Sequence, residues 1–353
     1  MGEMARGEQR GPGVRQVRIL DRMQLAKLLA IPELPQRLHD VDQLVASALN
    51  DFRSALRPEV FAFLTGPAKR IRATLTIACA QLGGKYDQRV AAAGATVELI
   101  QMGSLIHDDI IEEASSRRGK PTLNASENVA VALVVGDLVL AQAGLLAARM
   151  HQEASALMAD TMAHMAVGQL EELRELFNLD RTLEQYRAAT QAKTGTLFAS
   201  ACRLGGMMAG MPARGLDAVT AFGGAFGVQY QLIDDLLDLI GDPERLGKPV
   251  GRDLATGTYT EPLLRALAKR GGKTLATLLK RRRAEDLAEA LDRVKRSGAI
   301  NDATSAVRSL SSEAARALKP FAKDAVGKGL QALPDVYADW ALSQLVREDP
   351  GRG

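Results

Sequence analysis

Leu105-Ile106-His107-Asp108-Asp109-Ile110-Ile111-Glu112-Glu113 places acids at i, i+1 and i+4 of an apolar, helix-like run, and Leu232-Ile233-Asp234-Asp235-Leu236-Leu237-Asp238 repeats the arrangement. On a helix, positions i and i+4 lie one above the other on the same face and i+1 flanks them. Each segment therefore offers several carboxylates to one point in space. Like charges at that spacing repel by about 0.2–0.5 kcal/mol per exposed pair, and by more when buried. Nothing local neutralises them, because no Lys or Arg occurs from Val90 to Ser116 or from Gly215 to Glu244. The two runs read as cation sites. Hard oxygen ligands without thiols nearby favour Mg²⁺, which keeps several waters and takes one or two carboxylates plus a substrate phosphate. One such run alone could equally be an acidic solvent-facing patch; two in equivalent apolar settings favour the metal.

The 353 residues are 46% hydrophobic but only 4% aromatic, which suits a large all-α core better than a sheet protein. A net charge of +3 gives no polyanion-binding signal, and the basic residues are not interleaved with aromatics, so nucleic acid is excluded as a partner. Cys79 and Cys202 lie in apolar runs and read as buried, reduced thiols of a cytoplasmic protein. No apolar stretch reads as long enough to span a bilayer, and no strand pattern is visible. Residues 1–20, rich in Gly, Arg, Glu and Gln, read as a disordered tail before a single all-α domain over 21–350.

Outward from the acid runs, cations gather where phosphate could be held. Lys69, Arg70 and Arg72 open an apolar helix that stops at Gly83-Gly84. Helix dipoles favour cations at the other end, so this placement points to an anion site. Arg117 and Arg118 follow the first acid run within one loop, where a metal and guanidinium groups could share a diphosphate. Helices are expected from Asn128 to Met150, Ala154 to Phe177, Thr182 to Leu204 and Val219 to Ile240. Lys193 and Thr194 interrupt the third of these, and Gln231 lies one turn before Asp235. The loop from Gly241 to Asp253 reads as a structured, lid-like segment bearing Lys248 and Arg252. The histidines show no metal-ligand spacing, and Lys280-Arg281-Arg282-Arg283 reads as a solvated face.

These segments, in order, resemble the trans-isoprenyl diphosphate synthase (polyprenyl synthetase) family: AKRIR, SLIHDDIIEEASSRRGKPTLN, VVGDLVLAQA, KTGTLF and YQLIDDLLDLIGDPERLGKPVGRDL. The resemblance covers the chain from about Leu34 to Val346. It implies an isoprenoid-synthase-type helical bundle around a central cavity, a homodimer, and chain elongation of an allylic diphosphate by isopentenyl diphosphate. By matching position it implies Asp108, Asp109 and Glu112, with Asp234, Asp235 and Asp238, as ligands of Mg²⁺, three ions per active site. Lys69, Arg72, Gln101 and Arg118 would bind isopentenyl diphosphate. Arg117, Lys193 and Lys248 would hold the allylic diphosphate, with Thr194 and Gln231 at the reacting centre.

The sequence departs from the family's pattern at three places. Glu112 stands for an Asp, Pro67-Ala68 for two Gly, and Thr258 for a Lys that many members carry. Ser104, Gly103, Ile100 and Val97 would line the tunnel for the growing chain. The first two are small where short-chain members place bulky aromatics, so a product of geranylgeranyl length or longer is expected. A class I terpene cyclase is disfavoured by the basic start at Lys69, the second acid run and the scarcity of aromatics. A catalytically weakened or regulatory subunit, or a cargo, of a synthase assembly is kept open by Glu112 and Thr258, with the six retained acids weighing against it.

Overall fold

The computed structural model describes residues 20–117, 119–241 and 250–343. The tail, Arg118 and Lys248 lie outside the described residues. In order the helices are α1 (Arg22–Leu28), α2 (Leu34–Asn50), α3 (Pro58–Leu64), α4 (Ile71–Leu82), α5 (Gln88–Ile111), α6 (Leu123–Ser126), α7 (Val129–Met150), α8 (Gln152–Arg174), α9 (Leu183–Thr190), α10 (Thr196–Met208), α11 (Ala213–Ile240) and α12 (Arg252–Thr256). Five longer helices follow, the last being Ala325–Ser343. Local chemistry sets many starts. The side chains of Asp87, Asn128 and His151 accept the first free N–H groups of α5, α7 and α8, and Thr182 with Gln185 closes a capping box on α9. One departure from the all-helical expectation is a minimal hairpin, in which Ser116-Arg117 pairs antiparallel with Lys120-Pro121 around Gly119 at φ +74°.

The helices that carry the acid runs are the central ones. Helix α5 packs against α7, α4, α2 and α10, while α11 packs against α10 and the helix Ala299–Ala317. Val97, Leu99 and Ile100 of α5 are buried to 1% exposure or less, as are Phe222, Phe226 and Leu236 of α11. Each such side chain contributes about 1.5–3 kcal/mol relative to staying exposed. A smaller apolar cluster, with Tyr259, Leu263, Leu275 and Val294, joins the later helices to Tyr186 of α9 and Leu239 of α11.

The expectation that no stretch could span a bilayer needs correction. By length and composition α5 and α7 both pass, with mean hydropathies of 1.2 and 2.2 over their most apolar windows. Helix α5 is apolar because it is a core helix with two thirds of that window buried. In α7 only a third is buried, and its exposed surface is apolar: Val134 is 65% exposed and Leu145 42%.

Candidate active site

The basic helix start is built around a strained residue. Arg70 caps α4 in the left-handed conformation, φ 54°. A non-glycine residue stays there only when its surroundings hold it. Here the guanidinium is buried and bonds Asp42 at 2.8 Å and Glu98 at 3.4 Å, while Glu98 also accepts the Ala73 N–H at 3.0 Å. Arg70 is thus an anchor. It leaves Lys69 exposed on one side and Arg72 turned inward on the other. Arg72 lies 4.2 Å over the Phe198 ring, its Nε is buried without a hydrogen-bond partner, and burial draws its pKa down. A buried guanidinium with an unused donor is costly by itself and suits an incoming anion. Gln101 is half-buried on α5, two turns before Asp108.

The first acid run ends α5. Asp109 is buried and accepts Arg117 Nε at 2.7 Å, so the hairpin after α5 folds its cation back onto the carboxylate. Burial pushes Asp108 up to about 6, against the pull of Lys193, with Glu112 and Glu172 adding to the rise. Glu112, the C-terminal cap of α5, is exposed and paired with Arg252 of α12 at 3.3 Å.

Lys193 and Thr194 lie in a π-helical turn, Gln191–Gly195, between α9 and α10. Such turns concentrate at functional sites because they re-aim side chains. At this turn Gly168 of α8 lets the backbone pass, since a Cβ on it would stand 2.5 Å from the Lys193 nitrogen. Lys193 Nζ bonds Glu172 of α8 at 2.5 Å. Burial disfavours its ammonium, but Glu172 and Asp108 outweigh that and hold the pKa above the ordinary value. Thr194 Oγ1 donates to Gln231 Oε1 at 3.1 Å, and Gln231 Nε2 donates to Asp235 Oδ1 at 2.9 Å. The Tyr186 hydroxyl donates to the other oxygen of Asp235.

In the second run Asp234 is exposed, while Asp235 and Asp238 are buried. Burial pushes Asp235 up to about 7, with Asp234 and Glu172 contributing against its two hydrogen-bond donors. Asp238 accepts the backbone N–H of Asp253 at 3.1 Å, and its carbonyl accepts Gly251 N–H at 2.7 Å. The chain leaving the loop is therefore tied to α11.

Glu172 acts electrostatically on both Asp108 and Asp235, and Arg252 reaches from the second run to Glu112 of the first. The two runs thus share one site. Among the described residues no three acid, His or Cys side chains converge as a cage for an ion. An all-oxygen donor set in which burial raises the pKa values of Asp108 and Asp235 fits a hard divalent cation whose remaining ligands are water and phosphate. All four histidines are engaged elsewhere: His107 with Leu133 O and Asp137, His151 as a cap, His164 with Asp160 and His39 with Gln43. A surface groove of about 490 Å³ beside Leu183, Arg187 and Val228 carries none of the expected site residues.

Hydrogen bonds join Thr194, Gln231 and Asp235, and electrostatic influence links Asp108 to Glu112, Arg117 and Lys193 and, through Glu172, to Asp235. Sequence reasoning missed Glu172 and Tyr186. Glu172 stands among other acids on an amphipathic helix and Tyr186 inside a capped one, so neither carries a local signal.

Comparisons with known proteins agree with this geometry. Residues 55–294 match the polyprenyl synthetase family. The nonaprenyl diphosphate synthase of Mycobacterium tuberculosis is 36% identical over 65% of this chain and 69% of its own. Heptaprenyl diphosphate synthase component 2 of Geobacillus stearothermophilus is 32% identical over 76% and 84%. The structure of a Caulobacter crescentus polyprenyl synthase, complexed with calcium and isoprenyl diphosphate, superposes with TM-score 0.81 at 27% identity, covering 89% of this chain and 97% of the other. With its all-α bundle, its two acid runs in one site and a family match across most of its length, the chain belongs to the polyprenyl synthetase family of prenyltransferases.

Proposed function

We propose that the protein condenses isopentenyl diphosphate head-to-tail with an allylic diphosphate, and that its product is longer than geranylgeranyl diphosphate. The observation that carries the reading is a site where acids stand beside cations on separate elements, Arg117 with Asp109 and Arg252 with Glu112 of the first run and Lys193 with Glu172 of α8, while Glu172 also acts electrostatically on Asp235 of the second run. Such a site exchanges its internal ion pairs for a metal-bound diphosphate. Asp108, Asp109, Glu112, Asp234, Asp235 and Asp238 would hold Mg²⁺, three ions in all, which when bound stabilise negative charge on the departing diphosphate.

The chain's own residues do the rest. Arg117, Lys193 and Lys248 bind the allylic diphosphate. Lys69, Arg72, Gln101 and Arg118 bind isopentenyl diphosphate, Arg72 from its half-buried position over the Phe198 ring. Thr194 and Gln231 fix the orientation of Asp235 through their hydrogen-bond chain. The allylic carbon–oxygen bond breaks, the isopentenyl double bond forms the new carbon–carbon bond, and a C–H bond beside the resulting cationic carbon then gives up its proton; as the family resemblance implies, the departed diphosphate takes it, and every histidine is engaged elsewhere.

Long products are supported by the nonaprenyl and heptaprenyl relatives and by the small, half-buried Ser104 on α5. Gly103 is different. It faces α7, where a Cβ would stand 2.7 Å from the Leu140 side chain, so its smallness serves helix packing.

The exposed apolar side chains of α7 and α8 support a homodimer. Eight of the eleven large exposed apolar side chains among the described residues lie on these two helices, Val131, Val134, Leu145, Val167 and Leu170 among them, and covering them removes that surface from water. A single all-α prenyltransferase domain over 21–350 completes the reading. A cytoplasmic setting goes with the free, buried Cys79 and Cys202.

The test is to incubate the purified chain with Mg²⁺, isopentenyl diphosphate and, in turn, dimethylallyl, geranyl and farnesyl diphosphate, then size the products. Linear products beyond geranylgeranyl length, abolished by Asp108→Ala or Asp234→Ala, are expected. Absence of product with every primer would overturn stand-alone elongation, and cyclic hydrocarbons would make the protein a cyclase.

A further inference from the structure

Arg252 occupies a position that the six acids and the expected cations do not explain. Its helix, α12, is fastened to the second acid run by the Gly251 and Asp253 N–H groups on Asp238. Its guanidinium nevertheless reaches Glu112, the last acid of the first run, at 3.3 Å. Arg252 therefore spans the gap that a diphosphate held between the two runs must fill.

The pair it makes there is exchangeable. Both side chains are more than a third exposed, at 38% and 39%. Exposed pairs of this kind contribute little stability and trade partners readily. A guanidinium also matches a diphosphate better than a single carboxylate, because its forked donors engage two oxygens at once.

A second observation concerns Thr258. Its N–H bonds the Asp253 carbonyl at 2.9 Å, so it caps the same short helix, and its hydroxyl faces Thr256 at 3.3 Å. Thr258 itself carries no charge. One short helix thus lacks a cation at its far end and presents one at its start, already aimed between the acid runs.

We infer that Arg252 is a ligand of the allylic diphosphate and supplies the positive charge that Thr258 does not. The inference rests on the proposed function and deepens it. Before substrate binds, Glu112 holds the guanidinium in place. When a metal-bound diphosphate arrives, Glu112 turns to the cation and Arg252 to the phosphate oxygens. Arg117 and Lys193 make the same exchange from Asp109 and Glu172.

The test is calorimetric binding of an allylic thiodiphosphate, whose carbon–sulfur bond resists ionisation, in the presence of Mg²⁺. Arg252→Ala should weaken binding about 10- to 100-fold, the range for losing a charged hydrogen-bond donor. Arg252→Ala combined with Thr258→Lys should recover most of the loss. In steady-state assays KM for the allylic substrate should rise and KM for isopentenyl diphosphate should not. Unchanged binding in Arg252→Ala overturns the assignment. So does tighter binding, which would make Arg252 a plug over Glu112, and so does a loss that Thr258→Lys fails to recover. If the unaltered protein takes up no thiodiphosphate at all, the proposed function itself fails; if it binds and Arg252→Ala binds equally, only the role of Arg252 does.

Discussion

Metal binding at this site should be steeply pH-dependent near neutrality. Burial pushes Asp108 to about 6 and Asp235 to about 7. A divalent cation needs both carboxylates ionised, so its binding must expel whatever protons they hold. With those two values, the fraction of protein having both groups ionised falls about 100-fold between pH 7.5 and pH 5.5. Apparent Mg²⁺ affinity should fall by about that factor, and near pH 6.5 about one proton should be released per site loaded. Titration calorimetry in buffers of different ionisation enthalpy reads both quantities.

The metal-free protein should show the opposite trend. Both groups have folded-state pKa values above the ordinary 3.8, so between about pH 4 and 7 the folded chain binds more protons than the unfolded one. Stability contributed by these groups is present at low pH and is lost as pH rises through 6 and 7. The metal-free melting temperature should therefore rise on going from pH 7.5 to 5.5 while metal affinity falls. Carboxylates held below their usual range, such as Asp302 beside Lys269, titrate under this window and do not mask the effect. A flat metal affinity with no proton release would refute the picture of two buried carboxylates awaiting a cation.

Arg70→Ala should destabilise the chain by about 3–5 kcal/mol in urea unfolding, because buried Glu98 loses its ion-pair partner; a loss under about 1 kcal/mol would show that Arg70 anchors nothing. Gly103→Phe should cost stability through collision with Leu140, whereas Ser104→Phe should leave stability nearly intact and shorten the product, as gel or mass analysis of extended primers would reveal. If both variants shorten the product alike, Gly103 lines the tunnel after all. Val134→Glu should halve the sedimentation mass by placing a charge on the apolar face of α7; an unaltered chain that already sediments as a monomer would remove the homodimer.

Much of the fold was legible in the chain because its signals are local. The acids at i, i+1 and i+4, the caps at Asp87, Asn128 and Thr182, and the apolar spacing between them involve residues within one or two turns. They decided that the protein is helical and that two helices carry carboxylates. Sequence-scale errors arose where a long apolar run has two physical explanations. Helix α5 is apolar because the core surrounds it, whereas most of the apolar window of α7 is exposed; composition does not separate them.

Contacts between distant residues were decided only by tertiary structure. Glu172 lies 21 residues from Lys193, and Arg252 is farther still from Glu112. Three cations open one helix in the sequence, yet packing lays a half-buried Arg72 over Phe198 and makes the buried Arg70 the anchor. Gly103 looked like a tunnel wall and proved to be a helix contact. The sequence alone determined which side chains could hold metal and phosphate, since that depends on residue type and helical spacing. Which of them are buried, paired and raised in pKa depended on how α5, α8, α11 and α12 pack, because burial and charge–charge distance are properties of space and not of chain order.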